Sequence, residues 1–231
     1  MEIEATFRVG ERSLFSDLLR LPTLSVYTLA PVPGIERQHN TYFDTPHRHL
    51  AAQRYTLRVR DLGSRRIATV KQSLGALAGV HRREEWEITI GASDHPYDWP
   101  ASTARERALA VLAGQPISPQ VITRTRRQRI YAQRAGVRCA ELSLDEGAIM
   151  AGGRAIGFRE LEIELLSDGT GADLSALIAD LRARFPLVPE PRGKRARGMA
   201  LLDRALGQAG ITPRLAPAAA IEEQARAVGA R

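Results

Sequence analysis

The residues best able to do chemistry stand in like-charged sets, two positions apart. Glu2 and Glu4 open the chain, Glu85 and Glu87 recur in REEWEI, and Glu160, Glu162 and Glu164 alternate through ELEIEL. Arg58 and Arg60 in LRVR, and Arg124 and Arg126 in RTR, repeat the habit with positive charge. In a β-strand, residues i and i+2 project from one face about 6.5–7 Å apart. Two like charges at that distance repel by roughly 2 kcal/mol at an effective dielectric of about 20, and by about 0.6 kcal/mol in open water. On a solvated face the cost is small. In an enclosed space it grows, and the carboxylates then need cations. Inward carboxylate clusters are the oxygen-rich surroundings that Mg²⁺ or Mn²⁺ prefers. Arginine or lysine facing the same space would receive phosphate oxygens. Any one such strand is most simply a solvated face; five with the same habit favour a polar interior.

Of the 33 basic residues only two are lysine, Lys71 and Lys194. A chain that writes arginine elsewhere has kept a compact ammonium at these positions. The formal charge of +7 calls for an anionic partner: nucleic acid, a membrane surface or a polyanionic small molecule. Aromatic residues make up 5% of the chain and do not interleave with arginine, which disfavours single-stranded nucleic acid. No run of 18 apolar residues occurs and the sequence begins with the charged stretch MEIEATFRV, so neither a membrane helix nor a signal peptide is expected. Cys139, the single cysteine, reads as a packing residue in a reducing compartment, which places the protein in the cytoplasm. The five histidines show no metal-ligand spacing.

These side chains need strands to aim them. Period-2 alternation predicts strands at 2–9, 40–45, 55–60, 67–72, 84–90, 121–131, 137–145 and 158–166. Gly152-Gly153 should make a hairpin turn, and 75–79 a small-residue connection. Helical spacing predicts helices at 13–21 with Ser13 as N-cap, at 103–113, through Leu174 to Phe185, and at 194–207. Trp86, between Glu85 and Glu87, should pack outwards under a helix, whereas Tyr42, Phe43 and Asp44 read as packing and turn capping. The tail 210–231 is Ala-rich and reads as a linker or loosely attached segment.

Taken in order, the motifs resemble the CYTH family of triphosphate tunnel enzymes. EIE (2–4) is similar to its ExExK opening, YFDTP (42–46) with LRVR (57–60) to its YFDT…LRxR segment, and TVK (69–71) to its T-x-K strand. REEWEI (83–88), RTR (124–126), ELSLD (141–145), ELEIEL (160–165) and GKRARG (193–198) resemble the later elements, with Lys71 and Lys194 at the two later lysine positions. The resemblance implies an α+β fold, an eight-stranded antiparallel β-barrel forming a tunnel over 1–209 with helices packed outside. It implies metal carboxylates at Glu2, Glu4, Glu162 and Glu164, with Asp145 and Glu160 assisting. Phosphate oxygens would be held by Arg58, Arg60, Lys71, Arg124, Arg126 and Lys194, with Lys71, Glu85 and Glu87 in catalytic positions. The expected activity is hydrolysis of inorganic triphosphate or polyphosphate with Mg²⁺ or Mn²⁺, water attacking in line. Thiamine triphosphatase, adenylyl cyclase and a non-catalytic polyphosphate-binding module are the alternatives, and an all-helical CHAD domain is an expected partner. Thr6 departs from the signature, which has lysine there; Arg8, on the same strand face, is the expected substitute cation.

Overall fold

The structure, a computed structural model, describes residues 1–77 and 80–208. In chain order its elements are β1 (Glu2–Arg8), α1 (Ser13–Arg20), β2 (Thr23–Leu24), β3 (Tyr27–Pro31), β4 (Glu36–Asp44), α2 (His49–Ala52), β5 (Tyr55–Asp61), β6 (Arg66–Leu77) and β7 (Val80–Ile90). A 3₁₀ turn at Pro96–Asp98 leads to α3 (Thr103–Leu112), β8 (Ser118–Arg134), β9 (Val137–Ala151), β10 (Arg154–Leu165), α4 (Gly171–Arg184), β11 (Val188–Pro189) and α5 (Lys194–Gln208). Eight strands close a ring in the order β8, β4, β5, β6, β7, β1, β10, β9, and β9 returns to β8. Every pairing is antiparallel. This is the expected barrel.

Alternation sets the two faces of its wall. Odd residues of β1 and β10 and even residues of β9 carry Ala5, Phe7, Leu161, Ile163, Leu142 and Leu144, all buried under α1 and α4. Leu57, Val59, Ala68 and Val70 of β5 and β6 form a second apolar sector beneath α3 and Leu50 of α2. Fully burying each such side chain stabilises the fold by roughly 1.5–3 kcal/mol, so the apolar faces fix the register and force the charged faces inward. Trp86 joins the second sector, with the Arg107 guanidinium 4.9 Å from its ring, as expected. Ser102 caps α3 and a Thr170–Asp173 capping box starts α4.

The fifth helix lies differently. Met199 and Leu201 of α5 pack on Tyr42, Val121, Ile149 and Phe158, which project from the inner faces of β4, β8, β9 and β10. The helix therefore lies across one end of the barrel. Gly198 permits this seating: a Cβ there would meet Val121 Cγ1 at 2.2 Å.

Several local expectations need correction. The N-cap of α1 is Arg12, with no side-chain cap bond, and Ser13 is its first helical residue. The strand expected from 40 begins at Glu36, and β8, β9 and β10 each run longer than 121–131, 137–145 and 158–166. β6 continues through Gly75 to Leu77, narrowing the expected 75–79 connection to 78–79, which lies outside the described residues. The Gly152-Gly153 turn is as expected, both residues at positive φ (56° and 71°), the conformation a two-residue hairpin demands. The short strands β2, β3 and β11 and the one-turn helix α2 carry no periodic signal of their own. The segment 210–231 lies outside the described residues.

Candidate functional site: a polarised tunnel

The barrel encloses a cavity of about 640 Å³. Nine basic and ten acidic side chains line it among the described residues. All the expected carboxylates are there: Glu2, Glu4, Glu85, Glu87, Asp145, Glu160, Glu162 and Glu164, together with Arg58, Arg60, Lys71 and Lys194.

At the α5 end the charges are paired. Lys194, on the first turn of α5, reaches Glu162 at 2.5 Å, Glu160 at 2.8 Å and Asp145 at 2.9 Å. Arg127 makes two 2.7 Å bonds to Asp145 and a 2.6 Å bond to Glu162, and Arg197 bonds Glu160. Burial opposes charge on Glu162, but Lys194 and Arg127 outweigh it and hold the carboxyl well below the usual range. Three carboxylates meet three cations.

Towards the open end the balance tips. Lys71 Nζ sits 2.8 Å from Glu2 and 3.0 Å from Glu85; Arg83 bonds Glu4 and lies 3.7 Å from Glu2. That leaves the carboxyl of Glu164, a residue directly opposite Glu4 in the β1–β10 ladder, with no ion pair or hydrogen bond among the described residues. Burial, and then the charge of Glu2, push its carboxyl up to about 8. Burial and Glu162 raise Glu4 as well.

The facing wall has the complementary surplus. Among the described residues the Arg60 guanidinium makes a single hydrogen bond, to Asn40 Oδ1 at 2.9 Å. Burial, then the neighbouring Arg58 and Arg127, lower its guanidinium to about 10. Arg58 meets Glu87 at 3.3 Å and Glu85 at 3.8 Å, and bonds Thr69. β5 and β10 are four strands apart either way round the ring, so Arg60 and Glu164 face each other. One wall has a carboxyl short of a cation, the other a guanidinium short of an anion.

Three expected site residues are not brought here. Arg124 and Arg126 are exposed on the outer face of β8; the residues of that strand that line the cavity are Thr125, Arg127 and Arg129. The reason is phase. Ile130 belongs to the apolar core outside the wall, and Arg124 and Arg126 share its parity. Arg8 also leaves the tunnel: its side chain is 58% exposed and pairs with Glu190 at 3.6 Å, while α5 fills the interior beyond Thr6. Thr6 itself is buried and faces the cavity opposite Glu162, whose carboxylate Lys194 and Arg127 already occupy.

Sequence reasoning also missed Arg83, Arg127, Arg129, Arg195 and Arg197. Of these, Arg127 was legible from the parity of Ile130. Arg195, which lines the cavity and bonds the fully buried Asp44 at 2.5 Å, was not. Asp44 caps α2 as expected, accepting from the backbone of Leu50 and Ala51.

The donor chemistry fits a divalent ion. Glu2, Glu4 and Glu164 are hard oxygen donors, one of them free. Among the described residues no three acidic, histidine or cysteine side chains are gathered closely enough to hold a metal unaided. Mg²⁺ usually takes one or two carboxylates and completes its shell with water and substrate phosphates, so two glutamates facing a basic wall suffice.

The family model described as the CYTH domain matches residues 1–182, and the chain belongs to that family. An inorganic triphosphatase of Haemophilus influenzae is 28% identical over 167 residues, 70% of this chain and 45% of that protein. The chain thus spans less than half of that relative's length. Among solved structures, a Hippeastrum protein named for adenylyl cyclase and described as revealing a dominant triphosphatase activity has a TM-score of 0.56 at 20% identity, over 93% of this chain and 99% of that one. A Pyrococcus horikoshii OT3 protein has a TM-score of 0.52 at 20% identity, over 85% and 99%. Both likenesses concern the fold. No helix among the described residues is long and apolar enough to cross a membrane.

Proposed function

We propose that this domain hydrolyses inorganic triphosphate, or the end of a polyphosphate chain, with bound Mg²⁺ or Mn²⁺. The observation that carries the reading is the pair of opposed deficits. A metal–triphosphate complex would present its cation to Glu164, Glu4 and Glu2 and its phosphate oxygens to Arg60, Arg58, Arg127 and Lys71. The ion would neutralise phosphate charge and acidify a water. Arg60 and Arg58 would hold the chain in line, and Glu85, 3.0 Å from Lys71, would accept a proton. Tyr42 is the one aromatic lining the cavity among the described residues, and it packs at the α5 end. Little therefore offers to stack on a nucleobase or thiazole. The family relative named an inorganic triphosphatase supports the same substrate class.

A second reading, a polyphosphate-binding module without turnover, is favoured by Thr6. A cytoplasmic setting belongs to the proposal and rests on the one buried free thiol, Cys139. A CHAD domain as partner belongs to it too, on the resemblance alone. Phosphate release from tripolyphosphate, ATP and thiamine triphosphate, compared side by side with Mg²⁺ or Mn²⁺, tests the choice. Tripolyphosphate should be fastest; equal or faster turnover of ATP, or cyclic AMP as product, overturns it.

A further inference from the structure

The tunnel does not account for the basic character of this protein. Its lining carries nine basic and ten acidic residues, so the other 24 basic and 16 acidic residues place a surplus of +8 elsewhere in the chain. Part of that surplus is concentrated on the barrel's outer wall. The two apolar sectors of the wall lie beneath α1 with α4, and beneath α3. Between them runs a bare strip of β4 and β8, where Arg37, His39, Arg124 and Arg126 are all exposed. Arg37 stands directly opposite Arg126 and His39 opposite Arg124.

Like charges directly opposite on one sheet face destabilise the pairing, and among the described residues no ion pair relieves them. The side chains of Arg37, Arg124 and Arg126 make no ion pair or hydrogen bond among the described residues. Glu146 of β9, directly opposite Arg126, is engaged by Arg12 at 3.4 Å and Arg159 at 3.0 Å. The four strip residues include no Phe, Tyr or Trp, and His39 offers only one small ring, so the strip lacks the run of platforms on which single-stranded nucleic acid stacks.

We infer that this strip is a second anion site, docking the stretch of a polyphosphate chain that extends beyond the tunnel. The inference rests on the phosphate-chain reading of the tunnel. With α5 across one end, a chain longer than the cavity must leave its remainder on the outside. The forks of Arg37 and Arg126 suit non-bridging phosphate oxygens, and same-face spacings of roughly 5–7 Å let one flexible chain touch several of them.

The experiment measures binding of polyphosphate of about 100 units and of tripolyphosphate, over a range of salt, to wild type, to Arg37→Glu, and to the triple variant Arg37→Gln/Arg124→Gln/Arg126→Gln. Solvent-facing changes of this kind keep the fold, and unchanged tripolyphosphate binding verifies it. Long-chain affinity should fall tenfold to a hundredfold in the triple variant, with a shallower salt dependence. Arg37→Glu should show a smaller fall. An unchanged long-chain affinity in the triple variant overturns the site. So does an equal loss of both ligands, which would place the effect in the tunnel. Tighter wild-type binding of single-stranded RNA than of polyphosphate, lost in the triple variant, overturns the occupant. Failure of wild type to release phosphate from tripolyphosphate would sink the hydrolase reading alone, because the long-chain comparison reads binding.

Discussion

Glu162 and Glu164 stand two residues apart on the same face of β10, and their surroundings are opposite. Glu162 belongs to the α5 end, where Lys194, Arg127 and Arg197 answer Asp145, Glu160 and Glu162 one for one. Glu164 belongs to the open end, where Lys71 and Arg83 pair with Glu2, Glu4 and Glu85 and leave it no ion pair among the described residues. The closed half is a finished salt-bridge network that anchors a helix. The open half is unfinished, and a site that is to receive a cation and an anion together should be. Variants in the two halves should therefore behave differently, and the first three below break or sharpen that contrast.

The largest effect is expected at Lys194. Removing it leaves Asp145, Glu160 and Glu162 to share two cations, Arg127 and Arg197, and loss of one partner from a buried pair costs about 3–5 kcal/mol. Lys194→Ala should show that loss in urea denaturation and release no phosphate. A small change in stability would mean that the α5 end is not a closed network.

Glu164→Gln should do the reverse to stability. The folded protein holds the Glu164 proton up to about pH 8, whereas an ordinary carboxyl releases it near 4.5. The stabilisation from that proton is complete below about 4.5 and lost as pH rises through 8. Melting curves of the metal-free protein should therefore fall across this window in wild type and fall less in Glu164→Gln. The variant should be the more stable at pH 8–9, each 1 kcal/mol appearing as roughly 2–4 °C. Its Mg²⁺ response should be weaker. A lower melting temperature at pH 8 would show that Glu164 has a partner and that the open half is not deficient.

Arg60→Ala tests the opposite wall. Asn40 is the one hydrogen-bond partner of its guanidinium among the described residues, so its loss should barely alter stability. A charge-assisted contact is worth about 1.5–3 kcal/mol, so tripolyphosphate should bind on the order of tenfold to a hundredfold more weakly. Unaltered affinity by calorimetry would remove Arg60 from the site.

The barrel was legible because its wall obeys one rule: apolar side chains outward under helices, charged ones inward. ELEIEL states it outright, with Leu161 and Ile163 in the core and the three glutamates in the cavity. The rule failed at β8 because TRTRRQR offers arginine in both phases, and motif order favoured the wrong one over the parity of Ile130. The plug was illegible for a different reason. Nothing in the helical pattern of 194–208 says that Met199 and Leu201 meet the inside of the barrel, since Tyr42 and Ile149, their neighbours, lie far away in sequence. Pairing inside the tunnel was likewise hidden, because like-charged motifs on one strand do not reveal which cation crosses the cavity to reach them.

The smallest effect is expected at Arg8, and it bears on the missing signature lysine. Same-face parity with Thr6 made Arg8 the natural substitute, but its side chain is mostly exposed and its partner is Glu190 on the chain leading to α5. Exposed pairs of this kind contribute about 0–1 kcal/mol. Arg8→Ala should therefore leave tripolyphosphate affinity and phosphate release unchanged and alter stability little. The carboxylate facing Thr6 is already paired with Lys194 and Arg127, so we expect these two to stand in for the cation that the signature would place at residue 6. Thr6→Lys would crowd a third cation against Glu162 and should not raise turnover. A clear gain in phosphate release by Thr6→Lys, with Arg8→Ala still inert, would show that Lys194 and Arg127 hold Glu162 without replacing the lysine, and would favour the binding-module reading of wild type.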